Sequence, residues 1–318
     1  MSKNDRNITR MKKHRFVFFG EIWKNKLLYM MFLPTALWYL VFRYYPMAGI
    51  VVSFKNFNYR DGIFRSPWNG LDNFEYFFKS GKALQVTLNT IMYNALFLMI
   101  YIICSALLAI LLAELTNKVF KKIAQTIIFL PYFISWVVIS SLIYRLFDYK
   151  TGVFNHLITY FGGAPVDLAT NTGIWYFLLP FLYMFKWVGY GSVLFLAAIV
   201  GLDASCYEAA KIDGASAFQK IKYITIPLLK PTTITLVLLG VGRIVRGEFD
   251  MFYQLVGKNS LLMDKTDIID TLVFRSLMMN SNFGMAAATA FYQSVLCFVI
   301  IVVVNKIVKM VDADSALF

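Results

Sequence analysis

Four charged residues lie in the second half of a mainly apolar stretch of sequence between positions 229 and 256. They are Arg243, Arg246, Glu248 and Asp250. A charge in such a stretch is costly unless it is paired or faces water, so these side chains are candidates for contact with a polar solute. Arg246 and Asp250 are separated by one helical turn, so they can pair on a continuous helix. Alternatively, the four charges form a structural ion-pair network.

Residue types suited to nucleophilic, acid–base or metal chemistry occur without a productive spacing. The two histidines, His14 and His156, are isolated, and the sequence contains no HExxH motif. The three cysteines, Cys104, Cys206 and Cys297, are far apart, so neither a disulfide framework nor a metal cluster is expected. We therefore expect no catalytic residue, no metal site and no cofactor in this chain.

The segment that precedes the charged stretch has the pattern of a short helical hairpin. Asp203 is a typical N-cap for the first helix, and Gly214 suits the left-handed turn that ends it. Ser216 and Gln219 have the spacing of a capping box for the second helix. Pro227 then interrupts the helical pattern before the next apolar stretch.

The predicted hairpin, residues 203–227, is suited to contact with another protein. Ala209 and Ala210 have little bulk, so a partner surface could approach the backbone closely. Glu208 and Asp213 offer negative charge to a basic partner. Alternatively, the hairpin is an amphipathic loop that rests on a membrane surface.

The elements that must position these residues are hydrophobic helices. Hydrophobic residues make up 59% of the 318 residues and the mean hydropathy is +0.61, which is too apolar for a soluble domain of this size. A helix of about 20 apolar residues crosses about 30 Å of hydrocarbon. The fold class is therefore all-α, a polytopic membrane bundle of six transmembrane helices. The apolar runs lie at residues 27–54, 84–115, 123–147, 173–200, 229–256 and 285–308.

The distribution of basic residues predicts the orientation of this bundle. With both termini in the cytoplasm, the cytoplasmic segments hold 17 Lys and Arg residues and the opposite loops hold 9. The expected multi-pass plasma-membrane protein has a basic cytoplasmic segment 1–26, a transmembrane domain 27–308 and a cytoplasmic tail 309–318. Because the basic residues lie at the ends of apolar runs, the net charge of +13 reflects membrane orientation, and no nucleic-acid partner is expected.

The hairpin resembles a known family signature. A Glu-Ala-Ala sequence that starts at Glu208 is followed after three residues by Gly214, after nine more by Ile224 and after two more by Pro227. This spacing closely resembles the EAA signature of permeases in binding-protein-dependent ABC importers. One departure is Ile226, where Leu commonly precedes the proline; the bulk of the side chain is retained.

The resemblance implies a role and a set of partners. In that family, whose permeases have the type I importer fold, the hairpin is the coupling helix that docks in a groove of an ATPase subunit. An importer of this kind combines two ATPase copies, two homologous permeases and an extracytoplasmic sugar-binding protein. ATP and Mg²⁺ are used by the ATPase, here a separate chain because no GxxxxGK[ST] loop occurs. The implied coupling residues are Glu208, Ala209, Ala210, Asp213 and Gly214.

Further motifs resemble the maltose-type carbohydrate branch of this family. They include Gly70-Leu71-Asp72-Asn73-Phe74, Asn89-Thr90 and Leu130-Pro131. The segments 249–255 and 266–275 look like the subgroup that imports complex oligosaccharides, including alginate and pectin fragments. The abundance of Lys and Tyr is typical of a low-GC Gram-positive source, whose binding protein would be a lipoprotein.

A sugar pathway needs aromatic faces together with amides and charges, which the apolar segments supply. The candidate pathway residues are Trp187, Tyr190, Arg246, Glu248, Asp250, Tyr253, Gln254, Tyr292 and Gln293. Gly240, Gly242 and Gly247 would permit close helix packing or a break in the fifth span. Alternatively, the aromatic residues form an interfacial belt or pack inside the bundle.

Taken together, these patterns predict the permease subunit of an ATP-driven oligosaccharide importer. Such a subunit forms half of the translocation pathway and contacts the sugar, membrane lipid and an ATPase. Two alternatives remain open. The same scaffold could import another solute, such as an amino acid or a peptide, or the chain could be a membrane sensor or assembly protein that retains a permease-like loop.

Overall fold

The computed structural model describes residues 23–311 of the chain. Within that range the regular structure is helical, apart from one backbone bridge between Lys55 and Trp68. The predicted all-α fold is therefore confirmed. Most of the predicted N-terminal segment 1–26 and C-terminal tail 309–318 lies outside the described residues.

Thirteen helices of more than one turn organise the described chain. In chain order they are α1 (Lys26–Phe54), α2 (Asp72–Lys79), α3 (Lys82–Glu114), α4 (Lys118–Phe129), α5 (Trp136–Leu146), α6 (Val153–Tyr160), α7 (Trp175–Val200), α8 (Ala204–Ile212), α9 (Ala217–Leu228), α10 (Lys230–Val241), α11 (Phe249–Leu255), α12 (Ile269–Met278) and α13 (Phe283–Val311). Single helical turns lie at Gly62–Arg65 and Met263–Thr266.

Four of these helices, α1, α3, α7 and α13, are each long and apolar enough to cross a membrane unbroken. They correspond to the first, second, fourth and sixth predicted spans. Two further crossings are bent pairs: α4 and its terminal turn meet α5 at 95°, and α9 meets α10 at 53°. Length and composition thus give four spans, or up to six when each bent pair counts as one.

The third predicted span, 123–147, is not one straight helix, and the cause is local. After α4 a 3₁₀ turn, Leu130–Phe133, contains Pro131, which has no N–H to continue the helix. Ile134 is then extended, and Ser135 starts α5 by accepting a 3.4 Å hydrogen bond from the N–H of Val138. The sequence signals of a helix stop and a helix start therefore lie inside one apolar run.

The fifth predicted span, 229–256, is wrong in its second half. Helix α10 ends at Val241, residues 242–248 are non-helical, and α11 begins at Phe249. Gly242 and Gly247 both lie within this interruption. Of the two expectations for the glycines, close packing or a break, the break is observed, and it puts Arg243, Arg246 and Glu248 on irregular backbone.

An aromatic core joins α3, α5, α7 and α11. Tyr93 and Phe97 of α3, Trp175 of α7 and Phe252 of α11 are all buried in it. The ring of Phe97 stacks on that of Tyr183, with 4.4 Å between centroids. Offset ring pairs of this kind favour a fixed arrangement of the helices that carry them.

Helix α7 packs closely against two neighbours because it carries glycines at the contacts. A Cβ atom at Gly189 would lie 2.0 Å from the carbonyl oxygen of Ile128 on α4. A Cβ atom at Gly191 would lie 2.2 Å from Oγ of Ser105 on α3. Small residues allow helix backbones to approach within membranes, and here they place α7 between α3 and α4.

Helix α1 is attached to the bundle only near its end. None of its residues from Lys26 to Met47 is buried. Its final 3₁₀ segment, Ala48–Phe54, contains the buried residues and packs on α13, where the rings of Phe54 and Phe291 are 5.9 Å apart.

Candidate functional site

The hairpin predicted at residues 203–227 is formed by α8 and α9. Its first helix is capped by Asp203, whose Oδ1 accepts a 2.9 Å hydrogen bond from the N–H of Ser205. Hydrogen bonds from Ser205 hold the pKa of Asp203 below its usual range. The capping carboxylate is therefore ionised at neutral pH, and the predicted N-cap is confirmed.

The turn between the two helices has the geometry expected from its sequence. Gly214 has a φ of +74°, and the N–H of Ala215 donates to the carbonyl of Ala210 at 2.9 Å, which closes α8. The N–H of Ser216 donates to Oε1 of Gln219 at 2.7 Å, and the N–H of Gln219 donates back to Oγ of Ser216 at 3.3 Å. The predicted capping box is confirmed.

The hairpin presents a largely exposed surface. Of the predicted coupling residues, Ala210 is half-buried, and those exposed to solvent are Glu208, Ala209, Asp213 and Gly214. Two apolar side chains on either side of the turn are also exposed: Ile212 by 87% and Phe218 by 72%. Sequence reasoning missed them, although bulky apolar residues beside a glycine turn in a polar loop were a usable signal. They give the hairpin apolar surface for a protein partner.

A cavity of about 420 Å³, the hairpin cavity, lies on the inner side of α8 and α9, against the ends of α3 and α7. The hydroxyl oxygens of Tyr207 and Thr225 lie 3.0 Å apart there and join α8 to α9. The charged residues that line it are Glu114, Glu208, Lys211 and Lys220. Glu208 therefore faces the bundle as well as solvent.

A second cavity, of about 580 Å³, lies between α3, α7, α10 and the segment 242–250. We call it the large cavity. Its aromatic lining residues are Phe97, Tyr101, Tyr183, Trp187, Tyr190 and Phe249. Its charged lining residues are Arg243, Arg246, Glu248 and Asp250. Rings beside hydrogen-bonding and charged groups suit a solute that has both apolar faces and polar edges.

Five of the nine predicted pathway residues line the large cavity. They are Trp187, Tyr190, Arg246, Glu248 and Asp250. The first two share one face of α7, and the charged three come from the non-helical segment and the start of α11. The ring of Tyr190 stacks on Tyr132 at 4.8 Å, which fixes its orientation at the wall.

Two more predicted pathway residues, Tyr253 and Gln254, lie on α11 but do not line the large cavity. The ring of Tyr253 stacks on that of Phe249 with 5.4 Å between centroids. The side-chain oxygen of Gln254 accepts a 3.4 Å hydrogen bond from Lys258. Tyr253 thus packs against the lining residue Phe249, whereas the side chain of Gln254 contacts Lys258 in the turn after α11.

The last two, Tyr292 and Gln293, lie on α13 behind the cavity wall. The hydroxyl of Tyr292 is 3.1 Å from Oγ1 of Thr87 on α3. The amide nitrogen of Gln293 donates to the carbonyl of Val245 at 2.8 Å, so this side chain contacts the non-helical segment from the side.

The ion pair that the sequence allows between Arg246 and Asp250 does not form. The salt bridges within residues 23–311 lie elsewhere and include none of the four charged residues of the fifth predicted span. Because the helix ends at Val241, Arg246 does not share a helix with Asp250, and the one-turn spacing has no meaning. The described range also contains no group of three or more His, Cys, Asp or Glu residues arranged to hold a metal ion.

Several lining residues were not predicted to contact a solute. They include Asn94 and Tyr101 on α3 and Tyr183 on α7. Arg243, one of the four charges singled out in the sequence, also lines the cavity. A signal existed on α7, because Tyr183, Trp187 and Tyr190 have the spacing of one helix face. On α3, Asn94 and Tyr101 lie in a long, almost uniformly apolar run, so they form no clear polar pattern in the sequence.

Lys186, a basic residue within the α7 span, supports the bend between α4 and α5. It is 7% exposed, and its ammonium group donates to the carbonyl oxygen of Tyr132 at 2.9 Å and also to that of Ile134. The ring of Trp136 lies 5.5 Å away. These carbonyls lack helical partners at the bend, so the lysine replaces the missing hydrogen bonds.

The predicted branch motif 266–275 contains a buried ion pair. Arg275 of α12 forms a salt bridge with Asp267, which also accepts a 2.6 Å hydrogen bond from Oγ1 of Thr271. The backbone carbonyl of Asp267 accepts a 3.0 Å hydrogen bond from Asn89 on α3. The motif therefore fixes the start of α12 against α3.

The sequence matches a known protein family. Residues 105–312 match the family model described as "Binding-protein-dependent transport system inner membrane component". Protein LplB of Bacillus subtilis (strain 168) is 32% identical over 292 residues, which cover 92% of this chain and 91% of that protein. The polygalacturonan/rhamnogalacturonan transport system permease protein YteP of the same organism is 32% identical over 286 residues, 90% of this chain and 88% of that one.

The fold also matches a solved structure. A chain of a bacterial ABC transporter involved in the import of the acidic polysaccharide alginate superposes with a TM-score of 0.85 at 29% sequence identity. The match covers 93% of this chain and 99% of that chain. The agreement therefore extends over nearly all of both molecules.

Proposed function

Since this chain belongs to the family of binding-protein-dependent transport system inner membrane components, we propose that the large cavity forms half of a passage for an oligosaccharide through the membrane. In this proposal the α8–α9 hairpin docks a separate ATPase subunit. ATP binding and hydrolysis there drive the passage between inward-facing and outward-facing states.

The composition of the large cavity carries the proposal. Tyr183, Trp187 and Tyr190 offer ring faces on which sugar rings can stack. Arg243, Arg246, Glu248 and Asp250 bring donors and acceptors for hydroxyl and carboxylate groups to the same space. Its volume of about 580 Å³ is in the range of cavities that hold small organic molecules. The sugar-polymer systems named among the relatives support the same class of cargo.

The exposed surface of the hairpin supports the docking role. Ile212 and Phe218 provide apolar contact area, and Glu208, Ala209, Asp213 and Gly214 lie on the same short element. We place the hairpin and both chain termini in the cytoplasm, with a transmembrane domain at 27–308. The proposed partners are two copies of the ATPase, which uses ATP and Mg²⁺, a homologous second permease and an extracytoplasmic sugar-binding protein.

The assembly is tested by gentle extraction of a tagged chain from its native membrane, followed by mass spectrometry of the proteins that co-purify. We expect an ATPase subunit together with a second permease or a binding protein. Repeated recovery of the intact chain without an ATPase, under conditions that preserve a known importer, would contradict the proposal and favour a sensor or assembly protein.

The cargo is tested with the binding protein that co-purifies. Its affinity is measured for trigalacturonate, maltotriose, a tripeptide and single amino acids, and the preferred compound is then used in uptake by proteoliposomes that contain the complete transporter. Selective binding and ATP-dependent uptake of an oligosaccharide are expected. Binding of the peptide or an amino acid instead would assign the same scaffold to another solute.

A further inference from the structure

The non-helical segment 242–248 lies inside the bundle between α10 and α11, and its backbone groups need partners that a helix would have supplied. Unsatisfied N–H and C=O groups are costly away from water, so irregular backbone in a membrane protein persists only where other groups bind it. Arg243, Ile244, Arg246 and Gly247 of this segment line the large cavity, whereas Val245 between them is buried and does not line it.

Turn hydrogen bonds satisfy the N–H groups of residues 242, 243, 244 and 246, and side chains from three other helices bind further backbone groups of the segment. Nδ2 of Asn94 on α3 donates to the carbonyl of Ile244 at 3.0 Å. Oδ2 of Asp270 on α12 accepts a 2.7 Å hydrogen bond from the N–H of Gly247. In a weaker contact, Sγ of Cys297 on α13 donates to the carbonyl of Gly242 at 3.4 Å.

Asp270 and Gln293 act together on this segment. Nε2 of Gln293 donates to the carbonyl of Val245 at 2.8 Å and to Oδ2 of Asp270 at 3.1 Å. The same carboxylate oxygen binds Gly247, so two side chains from α12 and α13 form one connected bracket over three residues of backbone. Gly247 fits beneath it because an added Cβ would lie 2.3 Å from Cδ1 of buried Ile268 and 3.3 Å from Oδ2 of Asp270.

We propose that Asp270 and Gln293 are positioning residues that determine which solute the large cavity accepts, because they fix the backbone that carries Arg243, Arg246 and Glu248. This inference rests on the proposed transport function. The sequence predicts Gln293 as a pathway residue that contacts the sugar. In this proposal it instead positions the backbone from behind the wall of the large cavity. A charged group moved by an ångström loses a directed hydrogen bond, so the bracket controls selectivity without touching the cargo.

Hydrogen bonding and charge can be separated at Asp270. Both of its contacts use Oδ2, so Asp270→Asn retains them when the amide oxygen takes that place, whereas Asp270→Ala removes both. Gln293→Met keeps the length of the side chain and removes its two hydrogen bonds. Ser294→Ala is the matched control, because the next residue on α13 is exposed and its hydroxyl bonds only to its own helix.

The first measurement is hydrogen–deuterium exchange of residues 242–249 in the purified complex with its ATPase and second permease. We expect the amide of Gly247 to exchange about five to ten times faster in Asp270→Ala, as loss of one hydrogen bond implies, and the segment also to exchange faster in Gln293→Met. Asp270→Asn and Ser294→Ala should resemble the wild type. Unchanged exchange in both Asp270→Ala and Gln293→Met would overturn the proposal.

The second measurement is ATP-dependent uptake of labelled trigalacturonate and maltotriose by proteoliposomes. Asp270→Ala and Gln293→Met should change the ratio of the two half-saturation concentrations by about fivefold with a retained maximal rate, and Asp270→Asn should restore the ratio. An equal defect in Asp270→Asn and Asp270→Ala would show that the charge matters instead, and would overturn the proposal. Absence of uptake of any oligosaccharide by the wild type would contradict the proposed function, whereas the exchange result tests the bracket independently.

Discussion

The ammonium group of Lys186 and the backbone carbonyl oxygen of Tyr132 are joined by a hydrogen bond of 2.9 Å that links the middle of α7 to the bend between α4 and α5. A second hydrogen bond to Ile134 uses the same ammonium group. Lys186, a basic residue inside a membrane span, thus has a structural role, because it donates to carbonyls that the broken helix leaves without partners.

Replacing this lysine should weaken the bend. In Lys186→Met the side chain keeps its length, but two carbonyls lose a charged donor, and we expect a loss of about 2 kcal/mol of stability. Heating the solubilised complex and measuring the remaining assembled fraction by size-exclusion chromatography gives the melting temperature. Lys118→Met, at the exposed start of α4, is the control. Equal melting temperatures for the two variants would refute the assignment.

The contact between α7 and α4 should not tolerate a methyl group. In Gly189→Ala the new Cβ would meet a backbone carbonyl that cannot move by rotation of a side chain, so the helices must separate at a cost of about 1–3 kcal/mol. Gly201→Ala, whose Cβ would lie 3.5 Å from its nearest neighbour, is the matched control. The same heating assay should show a lower melting temperature for Gly189→Ala alone, and an unaltered value would count against this packing.

The turn of the hairpin should determine coupling through backbone conformation. No atom lies within 4 Å of an added Cβ at Gly214, so substitution there acts through its φ of +74° and through the approach of a partner. Left-handed backbone costs an L-residue about 1–2 kcal/mol, with Asn tolerated best and Val worst. Uptake per ATP hydrolysed should therefore fall in the order Gly, Asn, Ala, Val. A flat series would show that the turn is not part of the coupling joint.

The exposed apolar residues of the hairpin should matter for docking and not for folding. Ile212→Ser and Phe218→Ser remove apolar surface that is already in contact with solvent, so the melting temperature of the isolated chain should stay unchanged. Recovery of the ATPase with the tagged chain should fall. Phe161→Ser, at a residue 82% exposed after α6, is the control and should retain the ATPase. Full recovery with Ile212→Ser and Phe218→Ser combined would remove these residues from the interface.

The hairpin could be predicted because its determinants are local. Asp203, Gly214 and the pair Ser216 and Gln219 each act on backbone within three residues, so their types and spacing are sufficient to place the caps and the turn. The bend between α4 and α5 was missed although its signals, Pro131 and the capping serine after it, are also local. They were masked by the apolar run that surrounds them.

The break after α10 could be anticipated but not located from sequence. Its glycines permit irregular backbone, whereas the hydrogen bonds that stabilise it come from Asn94, Asp270 and Gln293 on distant parts of the chain. For the same reason the spacing of Arg246 and Asp250 is misleading, since a one-turn spacing is informative only on a continuous helix. Long-range contacts therefore decide which charges face the large cavity.

The main chain of residues 242–248 is held by side chains of α3, α12 and α13, and positions 243 and 246 lie outside any helix, so they are free of the preferences that a helix imposes on its residues. Their side chains can be exchanged while the surrounding helices keep their sequences and their packing. After gene duplication, a copy of this permease could acquire a new cargo through a few substitutions in one short segment. The substrate specificity of the permease would then change faster than its fold.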